Sequence, residues 1–323
     1  MNKRLMLAKA LCATGINYGV SKLRRNQLIV LNYHRIAGPD HSTEFDNDVY
    51  EHTIEVFRRQ VQWLNDNFDM LDEDRFISVA TSGNFELKHN SALITFDDGY
   101  ADNYELAYPV LKSLGVPAIF YVPCNLIESR EVGWWDKISW VVGKTTRPSG
   151  QIRGISLDFS TATARSHSAK QLHSYLKLNP YTDTHNLVEE LSDMLGVPLP
   201  GKDIQAKQLM SWDQLRDAAA NGIAIGSHSM SHRLLSQISV EEQVWELTES
   251  RRIIESRLGR RVRTVAYPVG QRTSFNEDTK RIAREAGYEL GFSFYPGCYW
   301  GKVDDLFDVR RVTLSPQDAL FRN

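Results

Sequence analysis

The sequence predicts an α/β protein in which about seven βα units build a parallel sheet or barrel. Three observations carry this. Short apolar, β-rich runs recur from Leu28 onward, amphipathic helical patterns separate them, and a glycine follows most of those helices. The first run, 28–33, leads to a helix over 53–67, and the second, 92–96, to a helix over 102–114 that ends at Gly115 with Pro117 beyond it. A third strand is expected at 118–122. The rhythm then breaks from about 127 to 210, where Ser, Thr, Gly and Pro are scattered and one helix is expected near 187–195. This interval reads as an insertion beside the core. Regular alternation resumes with a helix at 212–220, a strand at 223–226, a helix at 241–258, a strand at 264–267, a helix at 276–286 and strands at 290–294 and 309–314.

Hydrophobic residues at 42% and charged residues at 24% permit a substantial buried core in the 323-residue chain. The 38 basic and 40 acidic side chains nearly cancel, so no nucleic-acid partner is expected. Cys12, Cys124 and Cys298 lack paired spacing, which argues against a disulfide framework. Leu5, Ala8, Leu11, Cys12 and Ile16 recur at helical spacing between basic flanks, so residues 1–26 are expected to form an amphipathic helix ahead of one domain over 27–323. Lys9 interrupts the apolar stretch, and Asn17 and Tyr18 stand where small cleavage-site residues would be expected. The expectation is a retained segment on a cytoplasmic protein, with peripheral contact at the inner face of the membrane.

Two motifs carry chemistry. Thr95-Phe96-Asp97-Asp98-Gly99-Tyr100 stands where an apolar strand gives way to a turn and a helix. An Asp-Gly pair often makes a turn and an Asp often caps a helix, but two adjacent carboxylates repel unless a cation or different surroundings separate their roles. His228-Ser229-Met230-Ser231-His232 follows another strand, and two imidazoles on one helical or helix-like turn face the same way. One carboxylate added to them makes a two-His, one-carboxylate set with open positions for water and substrate.

In this order, the motifs resemble those of the polysaccharide deacetylases with a NodB-type homology domain, carbohydrate esterase family 4, over residues 28–313 apart from the insertion. The resemblance implies a distorted (β/α)7 barrel with an insertion after the third strand. It implies removal of acetyl groups from N-acetylated sugars of a polysaccharide or its lipid-linked precursor, as in exopolysaccharide biosynthesis. Asp97 would be the base; Asp98, His228 and His232 would hold a divalent metal, zinc first, with nickel, cobalt or iron as alternatives. A backbone N–H near Val269 would serve the oxyanion, with Tyr100 and Tyr267 on the substrate side. Two departures need substitutes. Ala266 stands where the family carries an Arg that braces the base, and Arg311, ahead of Arg310, is the expected replacement. No His follows His232, so the missing C-terminal acid is expected to be His34 of Asn32-Tyr33-His34-Arg35, similar to the rearranged members that act on poly-N-acetylglucosamine. Trp134 and Trp135 are expected as a sugar platform, because adjacent Trp residues in a loop are hard to bury together. Two other readings compete: hydrolysis of a formamide or small cyclic amide, and a catalytically silent glycan-binding assembly protein.

Overall fold

The computed structural model describes residues 26–38, 44–45, 50–179 and 184–314. The helix expected over 1–26 therefore lies outside the described residues, Asn26 excepted. Six strands pair in parallel in the order β1 (Gln27–Tyr33), β2 (Ser91–Phe96), β3 (Ala118–Val122), β4 (Ile223–Ser227), β5 (Thr264–Ala266) and β6 (Leu290–Phe292). Residues 309–312 then close the ring, through parallel bridges Phe292–Val309 and Leu31–Val312. The strand expected at 309–314 is thus reduced to two bridges. Ser293 O, the next acceptor along that ladder, is taken by the Arg311 Nε at 2.9 Å instead of by a backbone N–H. The result is an α/β barrel of seven parallel segments with one thin seam.

Alternation along the strands divides the core. Leu28, Val30, Leu93, Ile119, Tyr121, Phe292 and Val309 form one buried cluster, joined at the strands' starting end by Phe76 and Ile77 of the helix Glu73–Thr81. Leu31, Tyr33, Ile94, Phe96 and Phe120 belong to a second cluster, packed under the surrounding helices.

The insertion has its own hydrophobic cluster. It contains the helices Trp134–Lys144, Ala162–Leu178 and Thr184–Leu195 and a hairpin of Ser149–Ile152 with Ile155–Asp158. Only the last helix was legible. Ala162–Leu178 buries Ser168, Ala169 and His173 beside Leu172 and Leu176, so its apolar stripe is faint. The hairpin turns on Arg153 and Gly154, both at positive φ, where an Asn-Gly would have signalled the turn.

Beneath the barrel Glu73 accepts a hydrogen bond from Thr264 Oγ1 at 2.7 Å. Burial pushes its carboxyl up to about 7 from an ordinary 4.5, against the Thr264 bond and the Arg263 charge. A raised folded-state pKa gives stability that is complete below the ordinary value and is lost as pH rises through the folded one. Glu73→Gln is therefore expected to melt with the parent below about pH 4.5 and above it beyond about pH 7. Melting curves that run parallel across this range contradict the assignment.

Candidate active site and metal centre

Adjacent residues of a regular strand point to opposite faces, yet Asp97 and Asp98 meet in one pocket. The backbone explains this: Asp98 leaves β2 at φ 72°, in the left-handed region. Gly99 continues the turn at φ 68°, a conformation that favours glycine, and an added Cβ would press on Ile127 Cδ1 at 2.9 Å. Ser229, His232 and Val269 are also left-handed, at φ 63°, 56° and 63°. For the β-branched Val269 this is a strained conformation that only the surrounding structure can hold, and such strain gathers at functional sites.

The His228–His232 segment is a loop, not a helical turn. Ser229 Oγ accepts from His232 N and Ser227 Oγ from Ser229 N, each at 3.2 Å. The buried Glu246 carboxylate accepts from Met230 N at 2.8 Å, Ser231 N at 2.9 Å and the Ser231 hydroxyl. Bound this way, the loop brings both imidazoles to Asp98. Their Nε2 atoms lie 3.4 and 3.3 Å from Asp98 Oδ1, and one ligand atom from each of the three residues falls within 4.8 Å of the others. His228 Nδ1 is 2.7 Å from Ala266 O and donates there, which directs Nε2 at Asp98. Asp98 Oδ1 is buried without a hydrogen bond. Burial pushes that carboxyl up, but the two histidines outweigh it and hold Asp98 well below the usual carboxylate range. Two imidazole nitrogens around an orphaned carboxylate oxygen fit a divalent cation such as zinc.

Asp97 has a different environment. Arg311 NH1 donates to its Oδ1 at 2.7 Å and NH2 to its Oδ2 at 2.8 Å, a two-pronged pair completed by Asn32 Nδ2 at 3.1 Å. Burial pushes the carboxyl up, and the Arg311 charge, with those of His228 and His34, brings it below its ordinary value. Arg311 is wholly buried, whereas Arg310 turns to Tyr299. Of the two arginines expected here, Arg311 is the one that reaches Asp97. It enters from the barrel seam, where its Nε also donates to Ser293 O. Asn32 was missed, although a lone amide within the apolar run 28–33 was the signal for it.

His34, Asp97, Asp98, His228, His232 and Val269 line one pocket of about 290 Å³. Phe294 forms part of its wall, with its ring 5.5 Å from that of His34. The insertion supplies Trp134, Trp135, His173 and Lys177, of which the last two were not anticipated. Trp134 and Trp135 open a helix and do not sit in a loop, which lets Trp135 be buried. Its ring lies 4.4 Å from that of His232 and its Nε1 donates to Tyr100 OH at 2.7 Å. The expectation that Tyr100 and Tyr267 face substrate needs correction, since neither lines the pocket. Tyr100 is buried behind Trp135 and donates to Asp136, while Tyr267 stacks on Phe275 at 4.7 Å and donates to Phe307 O at 3.1 Å. A cleft of about 870 Å³ shares Trp134, Trp135 and His232 with the pocket and continues past Ser231 and Gln237. Among the described residues no helix is long and apolar enough to cross a membrane.

Comparison with known proteins bears on the fold and the family. The family model described as Polysaccharide deacetylase matches residues 86–291. The Bacillus subtilis (strain 168) protein YxkH is 22% identical over 260 residues, which is 80% of this chain and 64% of YxkH. A poly-beta-1,6-N-acetyl-D-glucosamine N-deacetylase of Staphylococcus epidermidis is 32% identical over 117 residues, covering 33% of this chain and 40% of that protein. The chain therefore spans less than two thirds of either relative. The Streptococcus pyogenes deacetylase PplD, solved with acetate, shares the fold at a TM-score of 0.59 and 17% identity, over 92% of this chain and 96% of PplD. IcaB from Ammonifex degensii does so at 0.54 and 19%, over 90% and 93%. With the family model spanning most of the barrel and both chemical motifs, this chain belongs to the polysaccharide deacetylase family.

Proposed function

We propose that the chain is a metal-dependent hydrolase that removes acetyl groups from N-acetylated sugars of a polysaccharide or its lipid-linked precursor. The observation that carries this reading is the convergence of Asp98, His228 and His232 beside a separately braced, ionised Asp97. A divalent cation held by the three ligands, zinc first, would supply Lewis acidity toward the acetamide carbonyl and acidify a water. The chain's own residues do the rest. Asp97, kept ionised by Arg311, accepts the proton of the attacking water, and the Val269 N–H is the proposed donor to the carbonyl oxygen. As the C–N bond breaks its electron pair leaves with nitrogen, which takes a proton from the His34 imidazolium. Acetate and a free amino sugar remain.

An open cleft continuous with the pocket supports a glycan substrate over a small enclosed amide. The named activity of the Staphylococcus epidermidis relative supports a β-1,6-linked amino sugar and, with the Tyr33-His34 pair, the rearranged subgroup. The reading is tested by mass spectrometry of β-1,6-linked N-acetylglucosamine oligomers incubated with protein and zinc, nickel, cobalt or iron. Loss of acetyl mass is expected, and unchanged oligomers with every metal overturn the substrate class. His34→Ala is expected to lower turnover about 10²-fold with metal affinity retained, because an acid acts in the transition state. We also propose that residues 1–26 bring the protein to the cytoplasmic face of a membrane. Cell fractionation that finds a shortened, exported form overturns that placement.

A further inference from the structure

Behind the pocket, at the end of β1, lies a buried polar cluster that no step above uses. Asn103 Nδ2 donates to the main-chain carbonyl of His34 at 2.6 Å, and Asp102 Oδ1 accepts from Ile36 N at 2.9 Å. Asp102 Oδ2 takes Arg35 Nε at 2.8 Å; Arg35 also donates to Gln208 at 2.8 Å and lies 4.3 Å over the Tyr100 ring. Asn103 is fully buried and begins a π-helical turn, Asn103–Ala107, of the kind that often marks functional positions. Among the described residues no hydrogen bond holds the His34 imidazole itself, so its aim comes from the main chain that carries it together with packing on Phe294.

From this geometry we infer that Asn103 and Asp102 are positioning residues for His34, fixing the backbone at His34 and two residues beyond so that the imidazole enters the pocket at one height. The inference rests on the reading of His34 as the acid. Asn103 Nδ2 is shared between the His34 carbonyl at 2.6 Å and Asp102 Oδ1 at 3.0 Å, and the Asp102 carboxylate also takes Ile36 N and Arg35 Nε. A displacement of about 1 Å at an acid can cost about 10²-fold in rate, which gives so small a clamp a measurable effect.

The test compares an N-acetylated oligosaccharide with an aryl acetate, whose phenolate leaves without a proton, on zinc-loaded protein. His34→Ala is expected to lose about 10²-fold on the amide and little on the ester. Asn103→Leu, similar in size but without the donor, is expected to lower kcat on the amide about 10-fold with KM little changed and the ester spared. Combining it with His34→Ala should add no further loss. Equal loss on both substrates with metal retained, full amide turnover, or additive losses in the double variant each overturn the positioning role. Equal loss on both substrates by His34→Ala overturns the acid reading instead. Should Asn103→Leu not retain metal, Asn103→Ala removes the donor without adding bulk or charge beside Asp102 and gives the same readings.

Discussion

Asp98→Asn is expected to abolish tight divalent-metal binding, a larger fall than the ~10–100-fold that loss of an outer hydrogen-bond partner costs. The variant is chosen for the backbone. Asp98 sits at φ 72°, which Asn tolerates and Ala does not, so Asn isolates the loss of ligand charge from a conformational penalty. The metal-free protein should lose stability as well. The two histidines hold the Asp98 carboxyl below its ordinary range, so its stabilisation is present at neutral pH and the amide forfeits it. Metal-free Asp98→Asn is therefore expected to melt below the parent, while added zinc raises the melting temperature of the parent alone. Calorimetry with and without zinc decides both. A variant that zinc stabilises as strongly as it stabilises the parent removes Asp98 from the ligand set.

The same residue shows what the sequence could and could not disclose. Asp97-Asp98 and His228…His232 were legible because each motif is local and stands at the end of a readable strand. That the two carboxylates would share a pocket follows from a backbone reversal at Asp98 that no pattern of residue types specifies. Arg311 could be inferred from the barrel order, since the first and last segments of a closed ring are neighbours, although it lies 214 residues from Asp97. Asn32 and Asn103 were not read as parts of the site, because a single amide in a strand or helix has many uses. Tyr100 and Tyr267 were assigned to substrate from their place in motifs. Both are instead buried behind the pocket, Tyr100 as the support of Trp135 and Tyr267 against Phe275. The insertion was visible as an interruption and its helix Thr184–Leu195 was anticipated, but Ala162–Leu178 was not, because its buried face uses Ser, Ala and His beside only Leu172 and Leu176.

Arg311→Ala is expected to damage the protein in two separable ways. With no exposure and a two-pronged pair to Asp97, Arg311 leaves behind a buried, unpaired carboxylate when it is removed, a change that costs about 3–5 kcal/mol. In the parent the folded-state pKa of Asp97 is depressed, so its stabilisation is present above the unfolded value and is lost as pH falls through the folded one. Without Arg311 the upward push of burial prevails and the sign reverses. The variant should then be weakest at neutral pH, and its melting temperature should approach that of the parent as acid neutralises Asp97. Activity must follow the same shift: a base works only when ionised, so the acid limb of the pH–rate profile moves to higher pH. Arg311→Lys separates charge from geometry, because an ammonium keeps the attraction but lacks the planar fork that meets both carboxylate oxygens. It is expected to recover most of the melting temperature and only part of the shift in the acid limb. If Arg311→Ala leaves the acid limb where it is in the parent, Asp97 is not the group whose ionisation sets the rate.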